Sequence, residues 1–120
     1  MTLTLSAITA ADVLEIAALA DQALRQESEM HGLEGGLAEF RGTSLRSRLR
    51  RMIANLTAEA CHELMAVMWI GRGDQHTFAD AVAYARYTSD DGDAIYMAGR
   101  ASLGRYLRAG LTRLTAIQQR

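Results

Sequence analysis

Several groupings of side chains in this chain have the types and spacing of chemistry. Glu59-x-x-His62 sets a carboxylate and an imidazole one helical turn apart, the spacing with which helix bundles hold a di-iron centre. Such a centre needs a second pair and two further carboxylates. Glu27 with His31 and His76 with Asp80, each four apart, are the available donors, and the set stays incomplete. No bound metal and no cofactor is therefore expected. Cys61 adjoins His62, but neighbours on a helix point about 100° apart and do not face each other. Cys61 reads as a small core residue rather than a nucleophile. Asp90-Asp91-Gly92-Asp93 lacks the spacing and the closing glutamate of a calcium loop, and reads as a turn followed by a helix cap. Gly71-Arg72-Gly73-Asp74 has no strand before it and no Gly-Lys-Ser/Thr, so it is not a phosphate loop.

Two groupings survive that screen. Arg72 and Asp74 either form a salt bridge at a helix end or, with His76, rim a small pocket floored by Trp69 and Tyr96. Arg46, Arg48, Arg50 and Arg51 could grip phosphates, and with Arg105 and Arg108 they make a possible basic surface. Four arginines around one helix point in several directions, however, and the asparagine, glutamine and lysine contacts of base reading are sparse there.

The elements that must position these residues are helices. Thr9-Ala10-Ala11-Asp12 resembles a capping box, and Val13, Ile16, Ala17, Ala20 and Leu24 follow at helical spacing, so a helix is expected to about residue 30. Gly32, Gly35, Gly36 and Gly42 make 31–43 a Gly-rich, flexible loop. Ser44 can cap a second helix with the stripe Leu45, Leu49, Met52, Ile53 and Leu56. From Thr57 the run Leu64-Met65-Ala66-Val67-Met68-Trp69-Ile70 is apolar on every side, and a helix apolar all round must be buried all round. A buried central helix over about 57–71 follows, ended by Gly71 or Gly73, with Trp69 packed near Leu103 and Tyr106 or Leu107. Thr77-Phe78-Ala79-Asp80 opens another helix. Asp93 is expected to cap a short one over 94–98. Ser102 opens the last, whose stripe is Leu103, Tyr106, Leu107, Gly110, Leu111, Leu114 and Ile117. The fold class is all-α: a small single-domain bundle of about five helices spanning 1–120. Proline, the strongest helix breaker, is absent.

Two segments carry a resemblance. His62-Glu63-Leu64-Met65-Ala66-Val67-Met68-Trp69-Ile70-Gly71-Arg72-Gly73-Asp74 and Tyr96-Met97-Ala98-Gly99-Arg100-Ala101-Ser102-Leu103-Gly104-Arg105-Tyr106-Leu107-Arg108-Ala109-Gly110-Leu111 resemble a bacterial family of short helical proteins known only as a domain of unknown function. The similarity covers about 56–114. The chain departs from the family pattern in the last helix. There a proline and an acidic Asp-Tyr-Leu-Glu-Glu segment give way to Ala101-Ser102 and the basic Arg105-Tyr106-Leu107-Arg108. The resemblance implies a helical fold and brings no activity and no catalytic residue with it.

Charge is blocked along the chain. Residues 1–40 and 52–99 each carry seven acids, against one and two arginines; 41–51 and 100–120 carry five arginines each and no acid. In a compact fold such blocks are expected to face and neutralise one another. All thirteen basic residues are arginine, the residue that forks onto carboxylates. The start lacks the n- and h-regions of a signal peptide, no apolar run reaches membrane-spanning length, and the single cysteine suits a reducing compartment, so a cytoplasmic location without membrane contact is expected.

No triad, complete ligand set or cofactor motif suggests an enzyme. The expected role is a non-enzymatic protein-interaction or regulatory module, self-associating (a dimer by preference) or binding another protein. The alternatives are a nucleic-acid-binding regulator using the Arg46–Arg51 helix, and a small enzyme or metal-binding bundle. Apolar residues in excess of what the chain can hide, with Leu114 and Ile117 near the end, motivate the dimer.

Overall fold

The computed structural model describes residues 5–30, 44–74 and 77–118. The expected loop at 31–43 and His76 lie outside them. Six helices are described: α1 (Ala10–Met30), α2 (Leu45–Ala54), α3 (Ala58–Arg72), α4 (Phe78–Thr88), α5 (Asp93–Ala98) and α6 (Leu103–Gln118). No strand occurs among the described residues. The fold is all-α, and each helix that the sequence pattern placed, the short one over 94–98 included, has its counterpart among the six.

Local chemistry sets most of the boundaries. The hydroxyls of Thr9, Ser44, Thr57 and Thr77 each accept the backbone N–H three residues on, which satisfies a donor the first helical turn leaves open. At the other end of α3, Gly73 takes φ 95°, the left-handed turn that ends a helix and that only glycine adopts without strain. The short α5 differs from expectation. Asp93 is its first residue rather than its cap, and Gly92 at the cap offers no side chain. The Asp93 carboxylate turns back instead, accepting from the Ser89 hydroxyl and the Asp90 N–H.

α3 is the central helix, and every residue from His62 to Ile70 is buried. It packs on α6 and α4; α6 also packs on α1, and α2 bridges α1 and α5. The α3–α6 contact is backbone to backbone. A Cβ on Gly71 would stand 1.7 Å from the Tyr106 carbonyl oxygen, and one on Gly110 would stand 2.1 Å from that of Val67. Gly71 therefore lies at a crossing inside α3 and does not end it. Trp69 is buried, 6% exposed; its ring packs on that of Tyr84 on α4, and its indole N–H bonds the Tyr96 hydroxyl on α5.

Two expectations about burial change. In α1, Ala23 takes the buried position and Leu24 is 42% exposed. Leu114 is covered within the chain, 3% exposed, so it offers no apolar surplus for a partner. His62 is buried as well, 7% exposed. Among the described residues no helix is long and apolar enough to cross a membrane.

Candidate functional site

α3, α4 and α5 enclose a cleft of about 650 Å³. Trp69 and Arg72 come to it from α3, Tyr84 from α4 and Tyr96 from α5, with Asp74, Asp90 and Asp93 from the connections and the start of α5. Four of the five residues singled out in the sequence as a possible pocket, Trp69, Arg72, Asp74 and Tyr96, thus line one concavity. The fifth, His76, lies outside the described residues.

The walls are tied together. The Trp69 ring lies 5.4 Å from that of Tyr84, tilted at 55°, the geometry aromatic pairs favour. Its indole N–H donates to the Tyr96 hydroxyl at 3.4 Å. The Arg72 guanidinium donates twice to Asp74, once through Nε at 2.7 Å and once through a terminal nitrogen. Asp74 in turn holds the Arg72 charge, pushing its pKa up against the opposing effect of burial. Burial pushes the Tyr96 phenol up. The combined donation from Trp69 and Arg72, with the charges of Arg100 and Arg72, outweighs this and leaves it below the usual tyrosine value. Arg100 sits over the Tyr96 ring, 4.5 Å from its centroid, a cation–π contact.

The possible basic surface divides. Arg46 forks onto Glu27 at 2.5 and 2.8 Å and donates to the Ala98 carbonyl, fastening α2 to α1 and α5. Arg108 pairs with Asp21 across α6 and α1. Arg105 lies over its neighbour Tyr106. Arg48, Arg50 and Arg51 are exposed, with no ion-pair partner among the described residues.

Among the described residues the metal-like spacing brings no ligand set together. Glu59 is held by Arg86 at 2.7 Å, which lowers its pKa, and His62 Nδ1 stands 3.8 Å from Glu59 without a hydrogen bond. Glu27 is taken by Arg46, and His31 and His76 lie outside the described residues. Among the described residues no three histidine, cysteine, aspartate or glutamate side chains converge as ligands. Burial, with the nearby charge of Asp93, pushes the Cys61 thiol up to about 11, so it is protonated at neutral pH.

Sequence reasoning missed Glu63. Its carboxylate, on a residue 5% exposed in mid-α3, accepts the backbone N–H groups of Ser6, Ala7 and Ile8 at 2.8–3.1 Å and the Ser6 hydroxyl at 2.8 Å. The one signal was a charge directly before the apolar run. Tyr84 was also missed as a cleft residue, because helical spacing places it off the α4 stripe.

No curated protein and no solved structure matches the chain. A family model described as "Protein of unknown function (DUF3775)" matches residues 46–115, beginning at α2 rather than at 56 and taking in every side chain that lines the cleft. Since that match spans more than half of the 120 residues, the chain belongs to this family of unknown function.

Proposed function

We propose that this chain is a non-enzymatic protein-interaction module that self-associates as a dimer, with the α3–α4–α5 cleft as its contact site. The observation that carries this is the concentration of aromatic rings around an open concavity. Trp69, Tyr84 and Tyr96 wall it, and Tyr84 leaves about half its surface to solvent. Tryptophan and tyrosine dominate the energetic centres of interfaces because each buries a large apolar face and keeps one polar handle. Tyr87, 86% exposed one turn beyond Tyr84, and Ile95, 62% exposed on α5, extend apolar surface on the same two helices. Non-enzymatic action is supported by the state of the reactive groups: the Cys61 thiol is protonated, Arg72 is engaged by Asp74, and Glu59 by Arg86.

Sedimentation over a concentration series tests the proposal. The expected mass is twice 13.1 kDa at high micromolar concentration. Tyr84→Ala should weaken association about tenfold, the effect of removing one hot-spot ring. A monomer at high micromolar concentration in low salt overturns it.

One observation favours a second role, the exposure of Arg48, Arg50 and Arg51 on α2. Were these to contact DNA phosphates, counterion release from three contacts would weaken binding roughly fortyfold between about 50 and 200 mM salt. Anisotropy of a labelled duplex measures that slope.

A further inference from the structure

We infer that the cleft takes guanidinium groups presented by α2 of a second copy of this chain. The inference rests on the cleft as the contact site and adds what fills it. Three carboxylates line the cleft, Asp74, Asp90 and Asp93, against one lining cation, Arg72. The Arg72–Asp74 pair cancels internally, and two negative charges remain beside aromatic faces. Arg100 stands over Tyr96 and offsets part of that charge. Asp90 accepts one hydrogen bond, from the Gly92 N–H, and Asp93 accepts two, so both keep lone pairs for a further donor. Neither has a cationic partner among the described residues.

A site of free carboxylates and π faces suits a planar cation that can stack and fork at once. Guanidinium does both; an ammonium does not. The cleft wall already shows that chemistry twice, in Arg72 forked onto Asp74 and in Arg100 stacked on Tyr96. The same chain carries the complement. Arg48, Arg50 and Arg51 occupy the solvent-facing half of α2, opposite Leu49 and Ile53, and Arg48 and Arg51, three apart, are neighbours on the helix surface. Block 41–51 has five positive charges and no acid. The contact joins two different patches. Two copies can make it reciprocally and close as a dimer, or make it in series and extend.

The test uses the full chain and sedimentation equilibrium, with circular dichroism on every variant. Arg48→Gln/Arg50→Gln/Arg51→Gln alters exposed, unpaired side chains, and should raise the dissociation constant at least about tenfold while leaving the helical spectrum unchanged. Asp90→Asn/Asp93→Asn should do the same. Mixing the two variants should restore association part of the way, because each pair then retains one intact contact. If the arginine variant associates like wild type, or the mixture is no tighter than either variant alone, the inference is overturned. If Tyr84→Ala weakens association while the arginine variant does not, the cleft remains the contact site and only its guanidinium occupant is lost. If wild type is monomeric, both fall. Should the aspartate variant fail to fold, the arginine variant decides the matter alone.

Discussion

Glu63 carries more of the architecture than any other single polar side chain described. Three backbone N–H groups and a hydroxyl converge on it, so the approach to α1 is held to the middle of α3 by one buried carboxylate. Removing it orphans those donors. Glu63→Ala should therefore cost about 3 kcal/mol, and Glu63→Gln, which keeps one acceptor oxygen, about 1–2 kcal/mol. Urea denaturation measures both; an unchanged midpoint in Glu63→Ala would refute the role. Nothing in the sequence could have paired these groups. The donors are backbone amides, which every residue except proline owns, and they lie more than fifty positions away. Cys61 was legible in part: read as a small core residue, it packs against the core but stays partly exposed. Burial raises it from 9.0 to about 11, so the fold favours the neutral thiol. The stability this lends is fully present below pH 9 and is lost as pH rises toward about 11. The difference in unfolding free energy between wild type and Cys61→Ala should shrink across that window, and alkylation at neutral pH should be slow. A difference that stays constant from pH 8 to 11 would show that the thiol does not titrate late.

At the scale of the helix, legibility follows range. Thr9, Ser44 and Thr77 were readable as caps or helix openers because a cap's donor lies three residues away, and α3 was readable as central because its apolar residues leave no polar face. α5 was misread at its start because Asp93 had two local uses, as a cap or as an acceptor for the preceding turn, and spacing does not choose between them. Of the two glycines offered as the end of α3, Gly73 is the one that ends it, and spacing could not choose between them for a similar reason. A glycine near a helix end looks like a terminator, and that the backbone of Gly71 lies against α6 is a tertiary fact. The crossing makes a sharp prediction. Alanine is favoured over glycine inside an exposed helix by about 1 kcal/mol, so on propensity alone Gly71→Ala and Gly110→Ala should stabilise. The added methyl groups would instead meet carbonyl oxygens far inside contact distance, and a backbone cannot step aside as a side chain can. Each substitution should destabilise by at least about 2 kcal/mol net, as overpacking typically does. A melting temperature equal to or above wild type would place the two helices farther apart than described.

Over the whole molecule, the alternating charge blocks neutralise one another as the sequence implied, but incompletely, and the proposed association draws on the remainder. Arg46 with Glu27 and Arg108 with Asp21 pair basic blocks with the first acidic block, and Arg86 with Glu59 pairs within the second. Arg48, Arg50 and Arg51 are left on α2, and Asp90 and Asp93 at the cleft. Residue counts disclose such blocks; which arginine finds which acid depends on helix rotation and crossing, so the unpaired remainder emerges only from the fold. A contact made from these groups and the accessible faces of Tyr84 and Tyr96 has two components that salt separates. Exposed guanidinium–carboxylate pairs contribute about 0.2–1 kcal/mol each and are screened. At 0.5 M salt the Debye length is about 4 Å, close to the span of a pair itself. Ring burial is not screened. Raising salt from about 0.1 to 0.5 M should therefore weaken association by about tenfold, one step of 1.4 kcal/mol, without abolishing it. A dissociation constant that does not move would assign the interface to apolar surface alone. Complete dissociation would mean that the rings contribute nothing and that the contact rests on the guanidinium–carboxylate pairs alone.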